Sequence, residues 1–127
     1  MKKIKDYNNF ANIKFNVENN TFKLYFKSEL VSESKFQINK PDYFFDKKYI
    51  GLFRLKTLTK FRNKGFGEIL INNIFDYVKN NLKLNHIFLN VYTNNTPALN
   101  LYFKTGFSIF GKYDDDDESY YTLVKIL

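Results

Sequence analysis

The stretch that decides the fold is YIGLFRLKTLTKFRNKGFGEILINNIFDYVKNNLKLNHIFLNVYTNNTPALNLYFKTGF, residues 49–107. Its first ten residues, 49–58, are rich in apolar side chains and predict a strand. From Gly67 onward the apolar residues recur every three or four positions, which predicts an amphipathic helix of about 14 residues ending near Asn80. Residues 86–92 are a continuous apolar run typical of a buried strand. Strand, helix and strand in this order predict a right-handed crossover between two parallel strands.

The flanking sequence adds strands and a second helix. Alternation of apolar and polar residues predicts strands over 13–17, 22–27, 30–38, 107–113 and 120–126. A second helix is predicted from Thr96, a favoured N-cap residue, to about Thr105, where Gly106 ends it. The predicted fold class is therefore α+β, with a mixed, mostly antiparallel sheet, one central parallel pair and flanking helices.

Length and composition bound the kind of protein. With 127 residues, of which 44% are hydrophobic, the chain is expected to form one domain over residues 1–127. The absence of cysteine excludes disulfides and thiolate metal sites, and a single histidine excludes a multi-histidine site, so no metal is predicted. No run of 18 apolar residues occurs, so no membrane span is expected. These absences together favour a cytoplasmic location.

The net charge of +7 favours an anionic partner, such as nucleic acid, a membrane surface or a phosphorylated cofactor. The abundance of Lys, Asn, Ile, Tyr and Phe also fits the composition that an A/T-rich genome produces. A nucleic-acid-binding domain would need a basic stripe with exposed stacking residues. Most aromatic residues here instead have the spacing of residues on the buried faces of strands and helices. The acidic run at 114–117 is interpreted as a solvated turn, with metal binding or attraction of a cationic acceptor as alternatives.

Residues 62–67, Arg-Asn-Lys-Gly-Phe-Gly, are the first motif that points to chemistry, and they lie between the predicted strand and helix. Glycines let the backbone approach a ligand, and the first turn of a helix offers unpaired N–H groups. Arg62 and Lys64 add positive charge. The spacing fits neither a P-loop nor a complete dinucleotide fingerprint. Taken alone, the motif is either a phosphate-binding turn or a plain tight turn that leads into a helix.

The second motif covers residues 95–107, Asn-Thr-Pro-Ala-Leu-Asn-Leu-Tyr-Phe-Lys-Thr-Gly-Phe. Its pattern, Asn-x-x-Ala-x-x-Leu-Tyr-x-Lys-x-Gly-Phe, is similar to the second signature of the GNAT superfamily of acetyl-CoA-dependent N-acetyltransferases. The first motif, Arg-x-x-Gly-x-Gly at the start of a helix, resembles the pyrophosphate-binding motif of that superfamily. The two motifs occur in order with one helix and one strand between them, and the resemblance covers residues 49–107.

The resemblance implies a GNAT-like fold in which the two central parallel strands splay apart and the pantetheine arm of acetyl-CoA fills the gap. It implies that the turn holds the pyrophosphate and that the end of the preceding strand binds the arm. The cofactor-binding residues implied in this way are Leu58, Thr59, Lys60, Arg62, Asn63, Lys64, Gly65, Phe66, Gly67, Asn95 and Tyr102. Asn95 and Tyr102 also have plain interpretations, as a turn residue and a packing residue.

The reaction implied is direct attack of a primary amine, of a small molecule or a protein, on the thioester of acetyl-CoA. Tyr102 matches the family tyrosine that protonates the leaving thiolate, and a backbone N–H near Leu58 would polarise the carbonyl. The strand before the turn contains no carboxylate, so Glu29, Glu33 and water are the alternatives for the general base. His86, at the far end of its strand, is expected to have no catalytic role.

One departure from the family concerns the region before Arg62, which shows no convincing helix. The helices that normally wall the acceptor site are therefore expected to be shortened or missing. This leaves a second function open, a catalytically weak or inactive acyl-CoA-binding module that acts as a sensor or interaction domain. The oligomeric state is also open, and a homodimer is one alternative.

Overall fold

The computed structural model describes residues 12–127, which form seven strands and two helices. A 3-10 turn, Thr59–Phe61, lies just before the first helix, and a π-helical turn, Val78–Leu82, extends that helix. The elements are β1 Ile13–Glu18, β2 Thr21–Phe26, β3 Glu29–Asn39, β4 Tyr49–Thr57, α1 Phe66–Tyr77, β5 His86–Tyr92, α2 Thr96–Lys104, β6 Ser108–Asp114 and β7 Ser119–Ile126.

All seven strands belong to one sheet in the order β1-β2-β3-β4-β5-β7-β6. Every neighbouring pair is antiparallel except β4 and β5, which run parallel in the middle of the sheet. Helix α1 connects these two strands, as a parallel crossover requires. The predicted α+β class, with a mostly antiparallel sheet, one central parallel pair and flanking helices, is confirmed.

Two-residue turns join the first three strands. Asn19 and Asn20 connect β1 to β2, and Lys27 and Ser28 connect β2 to β3; all four have φ between 50° and 67°. Left-handed conformation at both central residues is the type I′ turn, whose twist matches that of the strands it joins. No α-helix lies between residues 12 and 48, which agrees with the expectation for these residues; residues 1–11, which the expectation also covered, lie outside the described part of the chain.

One face of the sheet, here called the helix-covered face, holds the main hydrophobic core. The apolar stripe of α1 provides Leu70, Ile71 and Ile74, all fully buried, and these pack in one cluster with Phe22 and Leu24 of β2. Burial of each such side chain stabilises the fold by roughly 1.5–3 kcal/mol. Within the described residues, neither helix is long and apolar enough to cross a membrane.

The opposite face, here called the open face, is covered only in part. Residues 40–48, which connect β3 to β4, bring Phe45 against a small cluster of Tyr49, Phe88 and Val124. Further along β3 the open face carries the exposed residue Lys35. The open face is therefore exposed to solvent at Lys35, outside the part that residues 40–48 cover.

Candidate functional site

Strands β4 and β5 separate partway along their length. They pair at three positions, of which Leu52 with Leu89 is the last. β4 then continues to Thr57 and β5 to Tyr92 without pairing further with each other. Backbone N–H and C=O groups on the two sides of this gap therefore lack a strand partner, as at a sheet edge.

A β-bulge lies on β4 where the strands separate. Lys35 and Glu33 of β3 are two positions apart, whereas their partners Phe53 and Lys56 are three positions apart. The extra residue falls beside Arg54, which has a φ of 53°. A bulge bends the strand that carries it. Nothing in the sequence pattern predicts this feature, because arginine is not a residue type that favours left-handed backbone.

The gap opens into a cavity of about 410 Å³, here called the splay cavity. Its walls come from β4, β5, β7 and α2. The lining residues are Leu52, Phe53, Arg54, Leu55, Leu89, Asn90, Val91, Tyr92, Asn95, Ala98, Tyr102 and Tyr120. Of the residues predicted to form the site, Asn95 and Tyr102 line this cavity. The predicted residues between 58 and 67 do not line it.

Tyr102 of α2 is 7% exposed and packs edge-to-face on Phe107, with ring centroids 5.6 Å apart. Its hydroxyl has no hydrogen-bond partner within residues 12–127. Burial raises the pKa of Tyr102 to about 12, because the charged phenolate is poorly solvated in an apolar setting. The phenol is therefore neutral at physiological pH and available as a hydrogen-bond donor to a group in the splay cavity.

Asn95 caps α2. Its side-chain oxygen accepts a hydrogen bond from the N–H of Ala98 at 3.3 Å. The predicted N-cap, Thr96, is instead the first helical residue, and Pro97 is the second. The shift of one residue matters for the site, because the capping bond fixes the Asn95 side chain at the cavity wall and occupies its oxygen.

The turn of residues 62–67 leads into α1, as the motif predicted. Asn63 and Gly65 have left-handed φ values of 61° and 91°, and Gly65 is the N-cap of α1. The first hydrogen bond that α1 makes to this turn is from the N–H of Ile69 to the oxygen of Gly65, at 3.1 Å. In any α-helix the N–H groups of the first turn point along the axis toward the N-terminus, where no carbonyl of the helix itself can accept from them. Such a helix start suits an anion; its contact with a pyrophosphate stays a prediction.

Leu58 differs from its predicted role. β4 ends at Thr57, and Leu58 precedes the 3-10 turn rather than forming strand. The N–H of Leu58 donates to the carbonyl oxygen of Val31 on β3 at 2.9 Å. This amide is already used inside the fold, so the backbone N–H near Leu58 that is expected to polarise a thioester carbonyl would have to come from a neighbouring residue.

The residues considered as bases lie apart from the splay cavity. Glu29 forms an ion pair with Lys60 at 3.2 Å, and Glu33 forms one with Lys56 at 3.5 Å. Neither glutamate lines the cavity. His86 is the first residue of β5, and its ring packs on Phe45 with centroids 4.7 Å apart.

A second cavity, of about 450 Å³, lies on the open face beside the gap and is here called the open-face cavity. Its lining residues are Gln37, Asn39, Phe44, Tyr49, Gly51, Leu52, Phe53, Phe88, Leu89, Asn90, Tyr113, Tyr120 and Thr122. Five residues line both cavities: Leu52, Phe53, Leu89, Asn90 and Tyr120. The two spaces therefore adjoin at the gap between β4 and β5.

The sequence did not single out the residues shared by the two cavities. Asn90 offered a usable signal, because it is the one amide inside the apolar run of residues 87–91. A polar residue in a buried strand requires a partner or a ligand. Phe53 and Tyr120 offered none, since aromatic residues on strands are normally interpreted as packing.

Comparison with protein families and with known proteins shows the family of this chain. Residues 24–107 match the model of the acetyltransferase (GNAT) family. A segment of 62 residues is 40% identical to the acetyltransferase PseH of Campylobacter jejuni (strain 81-176) and covers 49% of this chain. The same segment covers 38% of PseH, so the match spans little more than a third of that protein.

Solved structures share the architecture. Arabidopsis thaliana Naa50, in complex with the bisubstrate analogue CoA-Ac-MVNAL, aligns with a TM-score of 0.67 and 24% identity, over 84% of this chain and 72% of Naa50. Arabidopsis thaliana NAA60, in complex with acetyl-CoA, aligns with a TM-score of 0.71 and 17% identity, over 84% of this chain and 76% of NAA60. At these identities the likeness establishes a common fold.

Proposed function

This chain belongs to the GNAT acetyltransferase family, and from that premise we propose that it transfers an acetyl group from acetyl-CoA to a primary amine by direct attack. The observation that carries the proposal is the gap beyond Leu52 and Leu89, which opens into a cavity lined by Tyr102. The gap suits an extended arm that reaches the reacting centre between two strands, and the adjoining open-face cavity suits the amine.

The proposed position of acetyl-CoA follows from two features. Backbone groups along the separated edges of β4 and β5 are available to an inserted extended chain, which would add to the sheet like a further strand. The turn of residues 62–67 provides a helix start and positive charge for the pyrophosphate. Arg62 is tied to the end of β4 by a 3.1 Å hydrogen bond from its Nε to the carbonyl oxygen of Thr57. This bond holds the turn next to the separated strand.

The proposed chemistry balances without a covalent enzyme intermediate. The lone pair of a neutral amine adds to the thioester carbonyl carbon and gives a tetrahedral adduct with a positive nitrogen. The carbon–sulfur bond then breaks, sulfur leaves with the bonding electrons, and an amide forms. The nitrogen loses one proton and the thiolate gains one, so the step needs no net proton from the protein.

The Tyr102 phenol is a much weaker acid than the thiol that leaves, and this difference defines its role when the carbon–sulfur bond breaks. Thiols of the cysteine type ionise near pH 8.5, whereas the pKa of Tyr102 is raised to about 12. Complete transfer of the phenol proton to the thiolate is therefore uphill by about 3.5 pKa units, or about 5 kcal/mol. We assign Tyr102 a hydrogen bond to the sulfur as the bond breaks, with the proton itself supplied by the nitrogen.

The amine reaches the site as an ammonium ion and must first lose a proton. Neither cavity has Asp, Glu or His among its lining residues. Glu29 and Glu33 are engaged with lysines away from both cavities. Water is therefore the acceptor of this proton in the proposed mechanism, and turnover should rise with pH until the amine is neutral.

The experiment that tests the proposal measures binding and turnover separately. Acetyl-CoA at 100 times its dissociation constant should raise the free energy of unfolding by about 2.7 kcal/mol, and release of free thiol should depend on an added primary amine. Stabilisation without thiol release for any amine would favour the binding-module alternative. A melting temperature that does not change in millimolar acetyl-CoA would overturn the proposal.

A further inference from the structure

The wall of the open-face cavity carries no formal charge at neutral pH. Its side chains with polar groups are Gln37, Asn39, Tyr49, Asn90, Tyr113, Tyr120 and Thr122, and its purely apolar rings are Phe44, Phe53 and Phe88. We propose that this cavity takes a hydroxylated ring amine, an amino sugar, as the acetyl acceptor. This inference rests on the acetyltransferase function proposed above and specifies its substrate class.

Several polar groups of this wall are free to bind a ligand. The side-chain amide of Gln37, the NH₂ group of Asn90 and the hydroxyls of Tyr113 and Tyr120 have no hydrogen-bond partner within the described part of the chain. A side-chain amide donates and accepts at neighbouring atoms. This pattern matches adjacent hydroxyl groups on a sugar ring, each of which also donates and accepts.

Other polar groups of the wall are already used and make it rigid. The hydroxyl of Thr122 donates to the amide oxygen of Asn90 at 2.7 Å, and the hydroxyl of Tyr49 donates to Asp42 at 2.8 Å. The first bond leaves the NH₂ group of Asn90 as the part of that side chain available to a ligand. The NH₂ group of Asn90 can therefore donate a hydrogen bond to a ligand hydroxyl while the bond between Thr122 and Asn90 stays in place.

Aromatic rings form the apolar part of the wall. Phe44 packs edge-to-face on Phe88 with centroids 4.8 Å apart, so the rings support each other. Phe44 and Phe53 remain 38% and 46% exposed. The face of an aromatic ring is electron-rich, and it attracts the polarised C–H groups on the flat side of a sugar ring. An aromatic wall with interspersed amides and hydroxyls thus fits both surfaces of such a ligand.

The same wall disfavours a polyamine. A ligand with several positive charges loses much hydration on binding and needs carboxylates in compensation, and none lines this cavity. The acidic turn of residues 115–118 follows Tyr113 and Asp114 at the end of the β6–β7 hairpin but is not part of the wall.

A peptide acceptor fits the cavity less well. Extended peptides bind best at a sheet edge, where backbone N–H and C=O groups are free. Away from the gap, whose free backbone edges the proposed function gives to the pantetheine arm, the open-face cavity lies over a sheet face where β5 is paired with β7, for example Asn90 with Thr122. Such a face offers side chains to a ligand rather than backbone groups.

The test compares acceptors and measures their binding directly. The amino sugars are D-glucosamine and hexosides with the amine at carbon 3, 4 or 6; the comparison amines are cyclohexylamine, spermidine and the peptide Ala-Ala-Ala. At least one amino sugar should exceed cyclohexylamine in kcat/KM by about tenfold or more, since the hydroxyls are then recognised. Calorimetry in the presence of coenzyme A, which carries no acetyl group to transfer, should detect binding of this sugar independently of turnover.

A pair of variants connects the preference to the cavity. Gln37→Leu removes a free amide from an exposed position and should lower kcat/KM for the sugar about tenfold, with the KM for acetyl-CoA unchanged. Lys35→Gln, two residues along the same strand and outside the cavity, should leave both unchanged. A sugar preference that survives Gln37→Leu intact would contradict the assignment of this cavity.

The possible results separate the two proposals. Higher kcat/KM for spermidine or for Ala-Ala-Ala would overturn the amino-sugar inference and leave the acetyltransferase function standing. Sugar binding that depends on Gln37, without any turnover, would support the cavity and contradict the acetyltransferase function. An absence of both binding and turnover for every amino sugar would overturn the inference.

Discussion

Thr122 and Asn90 are joined by a hydrogen bond of 2.7 Å, in which the hydroxyl of Thr122 on β7 donates to the amide oxygen of Asn90 on β5. The two residues are also register partners in the sheet. Thr122 is 4% exposed, so its hydroxyl has little access to water as an alternative partner. The bond therefore holds the Asn90 side chain at the point where the two cavities adjoin.

Thr122→Val should raise the KM for the acceptor several-fold more than the KM for acetyl-CoA. Valine keeps the shape and removes the donor, so the Asn90 amide is free to rotate, while the lost bond lowers the free energy of unfolding by only about 1 kcal/mol. Steady-state kinetics with both substrates varied would measure the difference.

Thr21→Val is the matched control for this variant. Thr21 is also buried on a strand and donates one hydrogen bond, to the carbonyl oxygen of Asn19 at 3.1 Å, but it lies on β2 and lines neither cavity. It should show a similar loss of stability and unchanged KM values. Equal KM changes in the two variants would mean that the effect of Thr122→Val is a general result of destabilisation.

Gly67→Ala tests separately whether glycine is needed at this position for folding and for binding of acetyl-CoA. A Cβ at this position would lie 3.1 Å from Cδ2 of Leu101 and 3.5 Å from Oγ1 of Thr57. The end of the Leu101 side chain can move by the small amount needed, so alanine should change the free energy of unfolding by less than about 1 kcal/mol. Affinity for acetyl-CoA, measured by calorimetry, should fall about tenfold if the backbone approaches the pyrophosphate here.

Valine at the same position gives the contrast. Its additional methyl groups would crowd Leu101 and Thr57 together, so Gly67→Val should lower the free energy of unfolding by about 1–3 kcal/mol. The space between α1, Leu101 and Thr57 therefore admits a methyl group but not a branched side chain. Normal affinity for acetyl-CoA in folded Gly67→Ala would reduce the motif to a tight turn.

The fold was predictable because each element carries a local signal. The three- to four-residue period after Gly67 predicted α1, the apolar run of 86–92 predicted β5, and their order predicted the parallel pair. The features that escaped prediction depend on contacts between distant residues. The bulge at Arg54 is visible only from the pairing of β4 with β3, and the use of the Leu58 amide is visible only from its contact with Val31.

The candidate site was predictable only where motif residues coincide with cavity residues. Tyr102 and Asn95 were found in this way, although the capping role of Asn95 was assigned to its neighbour Thr96. Phe53 and Tyr120 were missed, because their position at the gap depends on where β4 and β5 separate. A pattern within one segment does not contain that information.

His86→Ala should leave kcat and both KM values within about twofold of the parent. His86 is four residues from Asn90 along β5, which at about 3.3 Å a residue is roughly 13 Å. Its ring packs on Phe45, so the variant should lose a modest part of its stability instead. A hundredfold loss of rate in a stably folded variant would contradict the proposed location of the chemistry.

The stability of the protein in alkali should report the burial of Tyr102. Its phenol keeps its proton up to a pKa of about 12 in the folded state, whereas an exposed tyrosine ionises near 10. The contribution of the buried, protonated phenol to the free energy of unfolding is therefore fully present below pH 10. It is lost as the pH rises to 12, a change of about 2–3 kcal/mol. Denaturant unfolding at several pH values should show a steeper decline for the parent than for Tyr102→Phe. Equal slopes would mean that this phenol is not buried.

Tyr102→Phe should lower kcat about 100-fold and leave the affinity for acetyl-CoA within a few-fold. The variant keeps the ring against Phe107 and removes only the hydroxyl, which has no other hydrogen-bond partner among residues 12–127. The loss is expected at the lower end of the 10²–10⁴-fold range for positioned proton donors, since a phenol of pKa about 12 donates a hydrogen bond to the thiolate rather than a full proton. An effect on kcat without one on binding is the pattern of an interaction made in the transition state. Tyr121→Phe, a partly buried tyrosine on β7 that lines neither cavity, is the control and should remain fully active. Full activity in Tyr102→Phe would reduce Tyr102 to a packing residue and leave the departing sulfur to solvent.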